Sequence, residues 1–230
     1  MRWARSRLSV VLAVAVMALA PAGCAPGPES DLFNDLAAAL DEAGDLTFTA
    51  EYRLAGGAAA VLAQAQEPKR AAYQFPGGKM VTTDDATTDC RTGADATRCT
   101  LTPPPSNATD PVLDLLAGAD RSPSAGPSPT ASGGLVAPSA ALRLVSQAAL
   151  DGGTVTRHET TIAGKAATCV GVHGSGGLTV CITKEGLLGR FTGTVNGSAV
   201  QLELERFADS ADPALFTTPA GATVEDKRPK

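Results

Sequence analysis

Leu46-Thr47-Phe48-Thr49-Ala50-Glu51-Tyr52-Arg53-Leu54 alternates apolar and polar side chains along its length. Successive side chains of an extended chain point to opposite faces, so a period of two marks a strand buried on one side. Leu46, Phe48, Ala50, Tyr52 and Leu54 form the buried row. Strand-like pieces follow at 61–66, 70–75 and 79–83, with turn residues at Gly56-Gly57, Glu67-Pro68 and Pro76-Gly77-Gly78 between them, then a hairpin around Cys90 and Cys99. A second series occupies 154–162, 165–172, 178–183, 188–195 and 199–207, punctuated by Gly164, 174–177, Gly186 and Asn196-Gly197. Consecutive strands joined by short turns predict a large antiparallel sheet with a few helices against one face, an α+β fold.

Two segments carry the helical period instead. Ser30 reads as an N-cap, with Asp31 and Asp35 in the first turns, where carboxylates favour the helix dipole. Leu32, Leu36 and Leu40 recur every four residues beside Phe33 and Ala37, and Gly44 is placed to end the helix. The second helix runs from Ser139 to Leu150, with Leu142, Val145 and Ala149 on one face and a stop at Gly152-Gly153. Between the two strand series, 103–138, the composition shifts. Pro103-Pro104-Pro105 opens it, Asp110-Pro111 starts a short helix through Leu116, and a low-complexity Pro/Ser/Gly/Ala insert at about 121–138 follows.

The N-terminus sets the compartment. Met1 to Arg7 is basic, Leu8 to Leu19 is apolar, and Ala20-Pro21-Ala22-Gly23 is a small-residue exit, the pattern of a secretory signal. Cys24 after Ala22-Gly23 looks like the lipid acceptor of a bacterial lipoprotein. Ala20-Pro21-Ala22 also reads as an ordinary A-x-A cleavage site, which would release a soluble protein. Of the five cysteines, Cys24 is the odd one, and acylation would account for it. The expected layout is a signal at 1–23, a lipidated tether at 24–30, a single domain at 31–225 and a basic tail at 226–230. The acyl chains would hold the protein on the outer face of the cell membrane.

Cys90, Cys99, Cys169 and Cys181 remain, and an exported chain favours oxidised thiols. A two-residue turn at Ala94-Asp95 puts Cys90 opposite Cys99. A three-residue turn at Gly174-Ser175-Gly176 puts Cys169 opposite Cys181. Parity then sets Val170, Val172, Leu178, Val180 and Ile182 on the other face, so the second disulfide is expected to staple the outside of a curved sheet.

The 230 residues carry 24 acidic against 19 basic side chains, and no basic patch suggests nucleic acid. Trp3, the only Trp, leaves with the signal. Gly174-Ser175-Gly176 lacks the nucleophile-elbow frame. His158 and His173 have no partner spacing for catalysis or zinc, and Asp84, Asp85 and Asp89 lack a calcium-loop pattern. No P-loop or dinucleotide fingerprint occurs. A non-catalytic protein with no cofactor or metal is expected.

Several segments in order carry a resemblance: Ile162-Ala163-Gly164-Lys165, Cys181 to Leu188, Val200 to Phe207, and Asp212-Pro213-Ala214-Leu215-Phe216-Thr217-Thr218-Pro219. With an N-terminal helix and a central insert, the chain resembles the outer-membrane lipoprotein-carrier (LolA-like) superfamily. In style it is similar to the actinobacterial lipid-carrier (LppX/LprG-like) lipoproteins. The resemblance implies a strongly curved half-barrel with helices on its concave face and an apolar cavity for acyl chains. Phe48, Tyr52, Val170, Val180, Ile182, Leu202 and Leu204 would line it. The implied function is lipid binding in the cell envelope. The alternative is a sensor or assembly module with a filled core and an envelope protein partner.

Overall fold

The computed structural model describes residues 28–104, 135–174, 177–195 and 198–229. Cys24, the signal, the start of the tether, the 110–116 helix and the stretch 121–134 lie outside the described residues.

Helix α1 spans Pro28–Glu42, and a 3-10 turn at Ala43–Asp45 carries Gly44. The helix begins before Ser30, so Ser30 is not its cap and the end of the tether is helical. Proline tolerates a first turn because that N–H has no intrahelical acceptor. Leu32, Leu36 and Leu40 are buried, as their period requires. Helix α2 spans Pro138–Leu150 and buries Ala141, Leu142 and Val145. The amides of Gly152 and Gly153 close it by donating to the carbonyls of Ala149 and Ala148, each at 3.1 Å. Leu135 and Val136, placed in the insert by composition, are buried core residues. Two large apolar side chains before a helix start outweigh the loop-like composition around them.

Six strands form the first series: β1 Phe48–Leu54, β2 Ala59–Gln66, β3 Lys69–Phe75, β4 Gly78–Thr83, β5 Thr87–Thr92 and β6 Thr97–Thr102. The second comprises β7 Thr154–Ile162, β8 Lys165–His173, β9 Leu178–Thr183, β10 Leu188–Val195 and β11 Ser198–Ala208. A last strand, β12, covers Thr223–Asp226. They make one open twelve-stranded sheet in the order β12-β6-β5-β4-β3-β2-β1-β11-β10-β9-β8-β7. Each series is a meander, and the antiparallel β1/β11 pair joins the two. Tyr52 faces Leu204 there, and Leu54 faces Leu202. The sheet is not wholly antiparallel, because β12 runs parallel to β6, with Thr223 beside Arg98 and Asp226 beside Leu101. Asp226 and Lys227 thus belong to a strand edge rather than a frayed tail, and the Lys227 amide donates to the Leu101 carbonyl at 2.8 Å. All four β12 residues are exposed, so no buried row announced the strand.

The β1/β11/β10 seam carries a ladder of cross-strand ion pairs. Arg53 reaches Glu203 at 2.8 Å and Glu205 at 2.6 Å, and Arg190 reaches Glu203 at 2.5 Å. Arg206 pairs with Glu51. The hydrogen bond from Arg190, with the charges of Arg190 and Arg53, holds the Glu203 carboxyl below the usual carboxylate range. A depressed carboxylate stabilises the fold above its unfolded pKa, and this is lost as pH falls through the folded one. Acid unfolding followed by circular dichroism is expected to steepen below about pH 4.3. Glu203→Gln should flatten that limb and cost under about 1 kcal/mol at pH 7, since the pair is partly exposed. An unchanged acid limb would remove Glu203 from the account.

A smaller core lies apart from the main one. Ala63, Ala65, Ala72 and Val81 pack with Phe216 from the turn Pro213–Phe216, and Arg70 sits over the Phe216 ring at 4.4 Å. The Asp212 carboxylate caps that turn by accepting from the Ala214 amide at 2.9 Å. The Asp-Pro-x-Leu-Phe motif thus straps β2–β4.

Both disulfides form as the turns require. Cys90 faces Cys99 with Cα atoms 4.0 Å apart, and Cys169 faces Cys181 at 3.9 Å. Neither is an exposed staple. The Cys169 and Cys181 side chains have no exposure at all, because strands flank both, with His158 beside Cys169 and Arg190 beside Cys181. Two disulfides assign the chain to an oxidising, extracytoplasmic or secreted compartment. No helix among the described residues is long and apolar enough to cross a membrane.

Candidate ligand-binding cavity

A cavity of about 460 Å³ opens where the two helices meet the sheet beside β1 and β2. Small-molecule sites run from about 300 to 1,000 Å³, so the volume suits one small ligand. Helix α1 contributes Phe33, Ala37 and Leu40, one apolar stripe at helical spacing. Helix α2 contributes Leu142. Phe48 and Tyr52 from β1 and Leu62 and Gln64 from β2 form the sheet side, and the β9–β10 turn closes it with Gly186, Leu187 and Leu188.

The polarity is layered. Asn34, Asp41, Ser139 and Arg143 ring the mouth. Phe48, Tyr52, Leu62, Gln64, Leu187 and Leu188 are buried. Tyr52 is 2% exposed, and burial alone raises its hydroxyl well above the ordinary tyrosine range. It stays protonated at every physiological pH.

Gln64 is 1% exposed. Its Nε2 donates to the carbonyls of Gly44 at 2.7 Å, Leu46 at 2.9 Å and Ala43 at 3.3 Å, where an oxygen would be repelled. Gln66 adds Nε2 bonds to Gly44 and Leu46 at 2.9 and 2.8 Å. The two amides tie the exit of α1 to β2 and fix one wall of the cavity. Gln64 Oε1 is buried and has no hydrogen-bond partner.

Of the seven residues the sequence put on the cavity wall, Phe48 and Tyr52 line it. Val170, Val180, Ile182, Leu202 and Leu204 are buried in the main core and are not among the lining residues. Helix α2 packs on β8 and β9, and α1 reaches β9, so that part of the sheet is covered and filled. The space remains over β1 and β2. Leu62, Leu142, Leu187 and Leu188 were not singled out as lining residues, although Leu142 stood on a recognised apolar face. The available signal was Gln64, a polar residue interrupting the apolar run of β2 at an inward position.

Two other hollows, each about 540 Å³, are more polar. One lies between the end of α2 and the β8–β9 turn, the other between the C-terminal segment and β3–β5. No group of three or more His, Cys, Asp or Glu side chains that could hold a metal occurs among the described residues. His158 and His173 are exposed, the latter 3.3 Å from the Thr156 hydroxyl.

No protein-family model and no curated protein matches the sequence. Among solved structures, an uncharacterized conserved protein from Thermus thermophilus aligns over 84% of this chain and 98% of its own. The identity is 10% and the TM-score 0.46. PNGF-II aligns over 79% of this chain and 31% of its own, at 10% identity and a TM-score of 0.35. Likenesses this weak carry no argument about fold or function.

Proposed function

We propose that this protein is a non-catalytic binder of a lipid or similar apolar molecule, held in the cavity between α1, α2 and the β1–β2 face of a half-barrel sheet. The observation that carries the reading is the 460 Å³ cavity with an apolar interior and a polar mouth. Burying a chain there draws on about 25 cal/mol per Å² of apolar surface removed from water. The oxidising compartment fits acylation at Cys24 and a place on the outer face of the cell membrane. The resemblance to lipid-carrier lipoproteins points the same way.

Native mass spectrometry of the exported protein, purified without detergent, tests this. A co-purifying lipid lost on denaturation is the expected result. A clean apo mass that envelope lipids leave unchanged would overturn it and turn attention to a protein partner. Ala37→Trp fills the cavity from α1 and leaves every sheet residue in place. It is expected to cut lipid binding more than ten-fold while stability moves by about 1–2 kcal/mol, because the new ring occupies existing space. Unchanged lipid uptake by a folded Ala37→Trp variant would place the ligand elsewhere.

A further inference from the structure

The polar groups inside the cavity narrow the chemistry of its occupant, given the lipid-binding reading above. A buried tyrosine hydroxyl normally finds a hydrogen-bond partner. The Tyr52 hydroxyl makes no hydrogen bond among the described residues, and Tyr52 lines the cavity. Gln64 Oε1, on the same wall, is buried and has no hydrogen-bond partner. Register puts Tyr52 opposite Ala60 and Gln64 opposite Phe48, so the two stand at different depths on one face.

These groups ask for different things. Tyr52 can donate or accept, whereas Gln64 Oε1 only accepts. A hydroxyl on the ligand satisfies either. An ester carbonyl serves Tyr52 alone, and a carboxylate offers no donor. A carboxylate also brings a charge, and the buried lining residues include no cation to meet it. Burying an unpaired charge is costly. Asp41 and Arg143 at the mouth are exposed and opposite in sign, so the rim favours neither ion. Volume limits chain number. At about 30 Å³ per water-sized group, 460 Å³ holds on the order of fifteen groups, one acyl chain rather than two or three.

We propose that the cavity selects an uncharged, single-chain amphiphile bearing a hydroxyl group, with Gln64 Oε1 as the acceptor that demands a donor and Tyr52 as a second polar contact to the same head group. Gln64 Oε1 sets the demand for a donor, while Tyr52 adds affinity for any oxygen-bearing head group.

The test uses the exported protein stripped of endogenous lipid and three probes of equal chain length: a monoacylglycerol, the fatty-acid methyl ester and the free fatty acid at pH 7.5. The monoacylglycerol is expected to bind at least ten-fold tighter than the other two. Tyr52→Phe removes only a hydroxyl without a partner, so its melting temperature should match the parent. Its affinity for the monoacylglycerol should drop about five-fold, the equivalent of one hydrogen bond. Equal or tighter binding of the methyl ester or the free fatty acid would overturn the selection, and unchanged monoacylglycerol affinity in Tyr52→Phe would overturn the Tyr52 contact, both leaving lipid binding intact. Failure of all three probes to bind would instead overturn the lipid-binding reading itself.

Discussion

Gly186→Ala is expected to destabilise the protein by about 3 kcal/mol and to open the cavity. Gly186 has φ +76°, a conformation that costs other residues about 1–2 kcal/mol. It also lies against α1, where an added Cβ would stand 1.8 Å from the Ala39 carbonyl oxygen and 2.9 Å from the Ala43 Cβ. A backbone oxygen cannot rotate away as a side chain can, so the helix or the turn must shift, at about 1–3 kcal/mol more. Gly164→Ala is the control. Its φ is +77°, and no atom lies within 4 Å of the added Cβ. It should cost only the backbone term. Thermal melts of both variants separate the two contributions, and equal losses would mean that α1 does not rest on this turn. Because Gly186, Leu187 and Leu188 line the cavity, lipid affinity should fall in Gly186→Ala and hold in Gly164→Ala.

Removing the Cys169–Cys181 disulfide should have a comparable effect. With a sequence separation of 12, the chain-entropy model gives about 3 kcal/mol for the crosslink. The Cys169→Ala/Cys181→Ala pair also empties a site with no exposure, which adds a packing loss. The Cys90→Ala/Cys99→Ala pair, with a separation of 9, has nearly the same entropic term and empties a site that is also buried, flanked by β4 and β12. Urea denaturation should show losses at the two disulfides within about 1 kcal/mol of each other, with m-values raised in both variants because the uncrosslinked chain unfolds to a more expanded state. Unchanged m-values would show that the crosslinks do not act through the unfolded chain.

Much of the strand layout was legible because each buried strand carries a period the sequence displays. The 154–162, 178–183 and 188–195 segments match β7, β9 and β10 end to end. Disulfide pairing followed from turn length, since a hairpin fixes its own register. β12 escaped notice because every residue in it is exposed and its partner strand is about 120 positions away. The cavity was only half legible. Alternation identifies inward-facing residues, and all seven chosen are buried, but it does not say which of them a helix will cover.

Local pattern in the chain was enough for most of the elements, the hairpin registers, the two disulfides and the oxidising compartment they imply. All of these depend on neighbours within a few tens of residues. The tertiary structure alone decided that β1 pairs with β11 to join two meanders, and that the C-terminal strap reaches β6. It also decided that α1 and α2 cover β8 and β9 but leave a hollow over β1 and β2. Those outcomes depend on how two helices of fixed length fit one large sheet. Packing volume and long-range pairing settle that fit, and neither leaves a local pattern.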